Sequence, residues 1–380
     1  MRICFDIMGN ELWTAGHVYL KYLLSALQLT YPELELFLAN RSGKPIPRSV
    51  LGMFPMAKLI FGDSSEEEAV RAAGARRPGQ KVPDPKFSQA LRAHAIDVYF
   101  GSPYAHDEPS VRTISLLIDF QHRHFPQFFS PEERAERDQY FLDALQRADV
   151  ALISGESQRA DLEALTGPPQ PQVKVYHPIA MIPPHVRAAE PSEILERYNL
   201  PSDFLYLPNQ FWKHKNHEVV IDALGLLKER GEECLVVMTG NPHDYRFPDH
   251  FAELEQRIAR QGVQHMTRYL GLIPHDDVLL LMRQSKAVLN PSLYEGIGLS
   301  VEEAKALGRP VILSDIPAHR ERGARGSTYF AASDSRALSY LLALSPALVK
   351  AEEVSTSANA KEASTAVRVN AAWFMGHCRH

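Results

Sequence analysis

Two glutamates carry the strongest chemical signal in this chain. Glu295 and Glu303 stand eight positions apart in Tyr294-Glu295-Gly296-Ile297-Gly298-Leu299-Ser300-Val301-Glu302-Glu303-Ala304. Gly296 and Gly298 between them let backbone N–H groups approach a ligand closely. The preceding run, Lys286 to Asn290, reads as a short buried strand ending at Pro291, and the run from Ala304 to Gly308 reads as the end of a helix closed by its glycine. Both glutamates therefore flank a strand-to-helix turn. The first turn of that helix, near Leu299 to Val301, offers unpaired donors and a partial positive charge to a diphosphate. Glu295 would then meet sugar hydroxyls and Glu303 a ribose diol. The same spacing also fits a capping box, in which Glu303 reaches back from Ser300-Val301-Glu302-Glu303 to an N-cap amide.

A ligand with a diphosphate carries negative charge that must be stabilised by a metal, by cations or by helix termini. No Asp-x-Asp that would suggest a metal is found in the sequence. Leu207-Pro208-Asn209-Gln210-Phe211-Trp212-Lys213-His214-Lys215-Asn216-His217 instead places Lys213 and Lys215 in a loop just past a strand, the end that opens onto the ligand crevice of an open α/β fold. His214 and His217 have helical metal-pair spacing but no evident third ligand, and Trp212 is expected to pack as core. Gly240 follows the Cys234–Met238 run, and Gly271, Leu272 and Ile273 follow the next strand, so both loops are expected at strand ends. Nearer the N-terminus, Gly16 precedes a helix from His17. Ile118-Asp119-Phe120-Gln121-His122-Arg123-His124 clusters Asp119, His122 and His124 after an apolar strand. Asp119 has two local alternatives, a helix N-cap or an ion pair with Arg123.

The segment Pro291 to Leu299, then Glu303-Ala304, then Gly308-Arg309-Pro310-Val311-Ile312, resembles the signature of the retaining GT-B glycosyltransferases of group 1, or family 4 type. The resemblance runs from about Ile3 to Phe330 and is sharpest from Asn209 to Glu321. It implies that Glu295 and Glu303 bind the donor sugar and ribose, and that Lys215 holds the diphosphate. It also implies that Leu272 and Ile273 offer backbone groups to the nucleobase, while Gly16 lies against the acceptor or diphosphate. Ser314 to Glu321 would shape the wall of the sugar pocket. Two departures stand out. Asn209 occupies the place where the family usually has an arginine, which leaves Lys213 or a cation of the first domain to supply the second charge. Ile118 precedes Asp119 where the family often has histidine, so His122 or His124 would be the neutral donor on the acceptor side.

At 380 residues and 45% hydrophobic content the chain can bury a core in each of two ordinary domains. A net charge of −5 argues against an extended nucleic-acid surface, and three scattered cysteines against a disulfide framework or zinc site. Met1-Arg2 runs straight into Ile3-Cys4-Phe5 with no secretory h-region, and no apolar run is long enough to span a membrane. A cytoplasmic protein is expected, with any membrane contact peripheral and on the inner face.

Strand-like runs at Ile3–Ile7, Leu34–Leu38, Leu59–Phe61, Val98–Phe100, Ile114–Ile118 and Val150–Ile153 alternate with helices such as 131–147, and the alternation restarts at Phe204. It predicts parallel sheets covered on both faces. Prolines between His177 and Pro201 read as a hinge, and the charged stretch from Asp63 to Lys86 as a mobile loop. The expected fold is α/β of GT-B type, with two Rossmann-like domains facing a central cleft. Residues 1–185 would form an acceptor-side domain and 186–345 a nucleotide-sugar domain, with 346–380 a tail that could cross back as a helix.

The expected activity is metal-independent, retaining transfer from a nucleotide diphosphate sugar, as co-substrate, to a glycan or lipid-linked acceptor, with no other cofactor. Glu295, Lys215 and Asp119 are the candidate catalytic residues. The alternatives are a nucleotide-sugar epimerase or glycogen phosphorylase-like enzyme on the same architecture, or a non-catalytic nucleotide-sugar-binding partner subunit, the last motivated by Ile118, Asn209 and the unusual tail.

Overall fold

The computed structural model describes residues 1–9, 14–62, 82–168, 170–323, 326–352 and 359–379. The chain divides into two compact units, 1–179 with 365–380, and 180–364. Each is built on one parallel sheet with helices between its strands.

The first unit contains β1 (Arg2–Asp6), β2 (Glu35–Ala39), β3 (Ala57–Phe61), β4 (Val98–Phe100), β5 (Arg112–Leu116), β6 (Val150–Ile153) and β7 (Val173–Val175), in the order β3-β2-β1-β4-β5-β6-β7. The strand expected over Ile114–Ile118 starts and ends earlier. Leu117 still donates to Leu152 O at 2.7 Å, and the chain then turns away at Asp119, whose φ of 70° cannot continue a strand. The edge strand β7 is absent from the sequence reading because Val173-Lys174-Val175 is too short to show a period. The helix Asn359–Arg379 buries Ala371, Phe374, Met375 and Cys378, and Phe374 lies 5.9 Å from Phe100 and 6.3 Å from Phe5, ring centre to ring centre. The Trp373-Phe374 pair that interrupts a polar tail is thus an apolar anchor in the first unit's core.

The second unit contains β8 (Leu205–Pro208), β9 (Val236–Thr239), β10 (Thr267–Tyr269), β11 (Val288–Asn290), β12 (Val311–Ser314) and β13 (Thr328–Phe330), in the order β10-β9-β8-β11-β12-β13. Successive residues feed opposite faces. Leu205 and Leu207 join one apolar core and Phe204 and Tyr206 the other, just as Val236 and Met238 are separated from Val237. A strand buried on both faces must be apolar at every position, which is why these runs show no alternation.

The proline-rich segment expected as a hinge forms two short helices, Pro184–Ala188 and Pro191–Arg197, each opened by a proline whose fixed φ suits a first helical position. Val186, Ile194 and Leu200 are buried in the second unit's core. The stretch from Asp63 to Lys86 lies outside the described residues as far as residue 81. Its end is ordered, with Asp84 Oδ1 accepting the Lys86 amide at 3.0 Å to cap the Pro85–Ala93 helix.

Candidate active site

The second sheet reverses its strand order between β8 and β11: from β8 the chain proceeds outward to β9 and β10, and from β11 the other way to β12 and β13. The carboxyl ends of two such strands diverge into a ligand crevice. Asn209 follows β8 and Asn290 ends β11, and the Asn209 amide donates to Asn290 Oδ1 at 3.2 Å. Asn209 is therefore buried polar structure at the position where the family's arginine was expected.

Asn290 organises what surrounds it. Its Nδ2 donates to Glu295 Oε1 and to Ser300 Oγ, each at 3.2 Å. Ser292 Oγ lies 2.6 Å from Asn290 Oδ1 and 2.7 Å from Glu295 Oε1. Lys215 Nζ completes the arrangement, donating to Glu295 Oε1 at 2.7 Å with both side chains largely buried. Burial alone would raise the Glu295 carboxyl, but the charge of Lys215, then His319 and the hydrogen bonds from Lys215 and Ser292, outweigh it and hold the carboxyl below its ordinary value.

Lys215 is placed by its loop. Lys213–Lys215 is a single 3-10 turn, closed by Asn216 in the left-handed region at φ 58°. The Asn216 amide donates to Pro291 O at 3.0 Å and to Ala332 O at 2.8 Å, and Leu293 N donates to His214 O at 2.8 Å. These bonds fasten the lysine loop to the loop that carries Glu295. Lys213 turns elsewhere. Its amine lies 3.5 Å from Glu218 and 3.9 Å from Glu253, over the Phe247 ring, so the second cation expected from Lys213 is directed at acids.

Arg246, which the sequence reading missed, stands closer to this loop's core. Its guanidinium is held by the buried Asp244 at 3.1 Å, lies over Trp212, and has Nη2 3.5 Å from His214 Nδ1. Trp212 is half-buried rather than core, and Phe211 takes the interior position, with His217 stacked on it at 4.2 Å. Burial, with the charges of His250 and Lys215, pushes His217 down to about 3, so it remains neutral.

Glu303 lies in the helix Leu299–Ala306, whose N-cap is Gly298 at φ 68°. Ser300 is inside that helix and accepts from Asn290, so the capping box does not form. Glu303 Oε1 instead lies 2.8 Å from His275 Nε2. His275 opens the helix His275–Gln284 directly after Gly271-Leu272-Ile273-Pro274, which ties Glu303 to that loop. Gly271 has φ 79°, and its carbonyl accepts from Gly240 N at 2.9 Å. Leu272 in this loop is 54% exposed, an uncovered apolar side chain. Gly296 and Ile297 are half-buried, and Gly296 is not in the left-handed region, so of the two loop glycines only Gly298 is conformationally required.

His319 Nδ1 lies 2.9 Å from Ser314 O, which fixes the ring with Nδ1–H as the donor and leaves Nε2 buried and without a hydrogen-bond partner among the described residues. Burial keeps this imidazole below its ordinary value against the pull of Glu295. It is the residue of the Ser314–Glu321 element most closely coupled to Glu295.

The first unit's candidates do not assemble as expected. Asp119 Oδ1 accepts from Gln121 N at 3.1 Å, and its other oxygen lies 3.7 Å from Arg137, so its ion pair is with Arg137 instead of Arg123. Arg123 and the buried His122 both bind Asp138, at 3.0 and 2.8 Å. His124 lies 2.7 Å from Asp161, a bond that raises its pKa. Each imidazole is engaged by a carboxylate through Nε2, His122 by Asp138 and His124 by Asp161. Gly16 is buried, and a Cβ there would come within 2.8 Å of the Met8 and Gly9 backbone, so the glycine lets this helix start press against the loop after β1.

Residues 195–343 match the family model described as glycosyl transferases group 1. O-antigen chain mannosyltransferase B of Escherichia coli is 24% identical over 60% of this chain and 59% of its own length. D-inositol 3-phosphate glycosyltransferase of Jonesia denitrificans is 26% identical over 48% of this chain and 39% of its own. The chain thus spans less than two thirds of these curated relatives. In fold it is similar to Anabaena HepE, solved with UDP-glucose, at a TM-score of 0.69 and 15% identity over 99% of both chains. It is likewise similar to sucrose-phosphate synthase of Thermosynechococcus elongatus, at a TM-score of 0.70 and 16% identity over 100% of this chain and 98% of that one. The two parallel α/β units thus have the GT-B fold, and the Glu295–Glu303 segment lies inside the region that matches the group 1 glycosyl transferase model.

Proposed function

We propose that this protein transfers a sugar, with retention of configuration and without a metal, from a nucleotide diphosphate sugar to a glycan or lipid-linked acceptor. The observation that carries the reading is the Lys215–Glu295 pair at the switch point between β8 and β11. Glu295 meets the donor sugar's hydroxyls, and Lys215 with the start of the Leu299–Ala306 helix takes the charge that develops on the leaving diphosphate. Glu303, oriented by His275, binds the ribose diol, and Gly271, Leu272 and Ile273 receive the base. Asp119 is kept as a positioning group for the acceptor. UDP-glucose, present in the HepE structure, is the first donor to try.

In this proposal retention proceeds by front-face attack, the donor phosphate accepting the acceptor's proton. The protein acts in the cytoplasm, at most peripherally on the inner membrane face. Among the described residues no helix is long and apolar enough to cross a membrane.

The test is thermal stabilisation by GDP-, UDP-, ADP- and dTDP-sugars, since a ligand that binds only the folded state raises its stability. One nucleotide should stand out and lose its effect in both Glu303→Ala and Lys215→Ala. No shift with any donor would sink the reading. Product anomeric configuration and turnover in EDTA test retention and metal independence.

A further inference from the structure

A cavity of about 690 Å³ lies at the edge of the first sheet, within the range of about 300–1,000 Å³ usual for small-ligand sites. One wall is the edge strand β7 with Gln170 and Pro171 before it. A second is Glu156 and Arg159, in the first turns of the helix Glu156–Thr166, and a third is Trp373 and His377 of the helix Asn359–Arg379. All of these residues belong to the first unit, so the cavity is separate from the Lys215–Glu295 site.

The third wall is held in place. The Trp373 ring lies 5.5 Å from the buried Tyr176 ring, His377 stacks on Trp373 at 4.0 Å, and Arg112 Nε donates to His377 O at 3.2 Å. Binding there needs little reordering of side chains.

The polar lining has unused groups of two kinds. Arg159 commits Nε to Glu156 at 2.7 Å, and its Nη1 and Nη2, like Lys174 Nζ, have no partner among the described residues. These are cationic donors. Gln170 Nε2 donates to Pro168 O at 3.0 Å, which leaves Oε1 as an acceptor. His377 Nδ1 donates to Trp373 O at 2.8 Å, so in the neutral ring Nε2 is an acceptor too. Two cations against one carboxylate leave one net positive charge, and the Glu156 side chain is the more exposed of its ion pair, where water screens it.

We propose that this cavity binds a sugar-sized oxyanion, a hydroxylated ligand whose phosphate or carboxylate meets Arg159 and Lys174 while its hydroxyls donate to His377 Nε2 and Gln170 Oε1. The two Nη groups of a guanidinium can take two oxygens of one oxyanion side by side. A neutral sugar would leave the cations unused, and inorganic phosphate would leave the acceptors and the Val173, Val175 and Trp373 surface uncovered. The site stands independently of the transferase reading, because none of its residues lies in the second unit.

Calorimetric titration of the full chain with glucose 6-phosphate, glucuronate, methyl α-D-glucopyranoside and inorganic phosphate tests the site. At least one acidic sugar should bind about tenfold or more tighter than both the neutral glycoside and inorganic phosphate, and the tighter of the two acidic sugars identifies the oxyanion. Lys174→Gln, at a half-buried position on an edge strand, should weaken that ligand about fivefold, and His377→Phe, which keeps a ring on Trp373 but removes the acceptor, about threefold. The proposal is overturned by no binding of either acidic sugar, by a neutral glycoside or inorganic phosphate that binds as tightly, or by unchanged affinity in both folded variants. Loss of binding in Glu303→Ala would move the ligand to the second unit and overturn it as well. UDP-glucose melts of Lys174→Gln keep the two readings apart: acidic-sugar binding that depends on Lys174, in a chain no nucleotide sugar stabilises, would retain this site and reject the transferase.

Discussion

Lys215 and Glu295, 80 positions apart in sequence, meet at 2.7 Å as a largely buried pair that also takes hydrogen bonds from Asn290 and Ser292. Their charges are opposite, so in this enclosed site each neutralises the other; under the proposed function a bound donor would separate them, drawing the cation to phosphate and the carboxylate to hydroxyls.

Replacing Lys215 with methionine leaves Glu295 buried without its cation, and should cost about 2–4 kcal/mol at pH 7. The carboxyl is held below its ordinary value in the wild type, so the stability it contributes is present above the unfolded glutamate value and lost as pH falls through the folded one. The difference between variant and wild type should therefore shrink near pH 4. Urea melts at the two pH values check this, and an equal difference at both would show that the pair is not the source.

Asn290→Asp sets a second carboxylate within about 3 Å of Glu295, judged from the 3.2 Å amide contact. Destabilisation of about 1–3 kcal/mol is expected at pH 7, with loss of nucleotide-sugar binding. The Asn290→Ala and Asn209→Ala pair should couple by about 0.5–3 kcal/mol in a double-mutant cycle, because they share one bond network. Strict additivity would remove Asn290 from its organising role.

Alanine at Gly298 and at Gly240 should behave differently. At Gly298 the φ of 68° is strained for alanine, but the nearest neighbour of a Cβ is Arg322 Cδ at 3.6 Å, so about 1–2 kcal/mol is expected. At Gly240 a Cβ would lie 2.3 Å from Asn209 O, a backbone atom that cannot move alone, and the cost should exceed about 3 kcal/mol. Thermal melts of the two variants should place Gly240→Ala well below Gly298→Ala.

His217 titrates at about 3 in the folded chain, against an ordinary value near 6.5. The unfolded chain therefore binds the proton first, and the stability present above pH 6.5 is lost as pH falls toward 3. By pH 5 this amounts to on the order of 2 kcal/mol. His217→Phe keeps the stacking on Phe211 and removes the titration, so its stability should fall less between pH 7 and 5 than that of the wild type. Parallel pH profiles for the two proteins would mean that other buried histidines govern acid unfolding.

Sequence alone determined what is local. Apolar runs buried on both faces located the strands, glycine and proline marked the turns, and the 291–312 signature carried the resemblance to the group 1 glycosyltransferases. Tertiary structure decided which polar groups have partners. Lys213 and Lys215 differ by two positions in one loop, yet a single 3-10 turn sends one to Glu218 and the other to Glu295. Asn290 reads in sequence as the end of an apolar strand, and its bond to Asn209 exists only because β8 lies beside β11. His122, His124 and Asp119 read as a reactive cluster, but Asp138, Asp161 and Arg137 engage them from other helices. Arg159, Lys174 and His377 carry no motif at all, because the fold brings together residues far apart in the chain and spacing cannot encode that meeting.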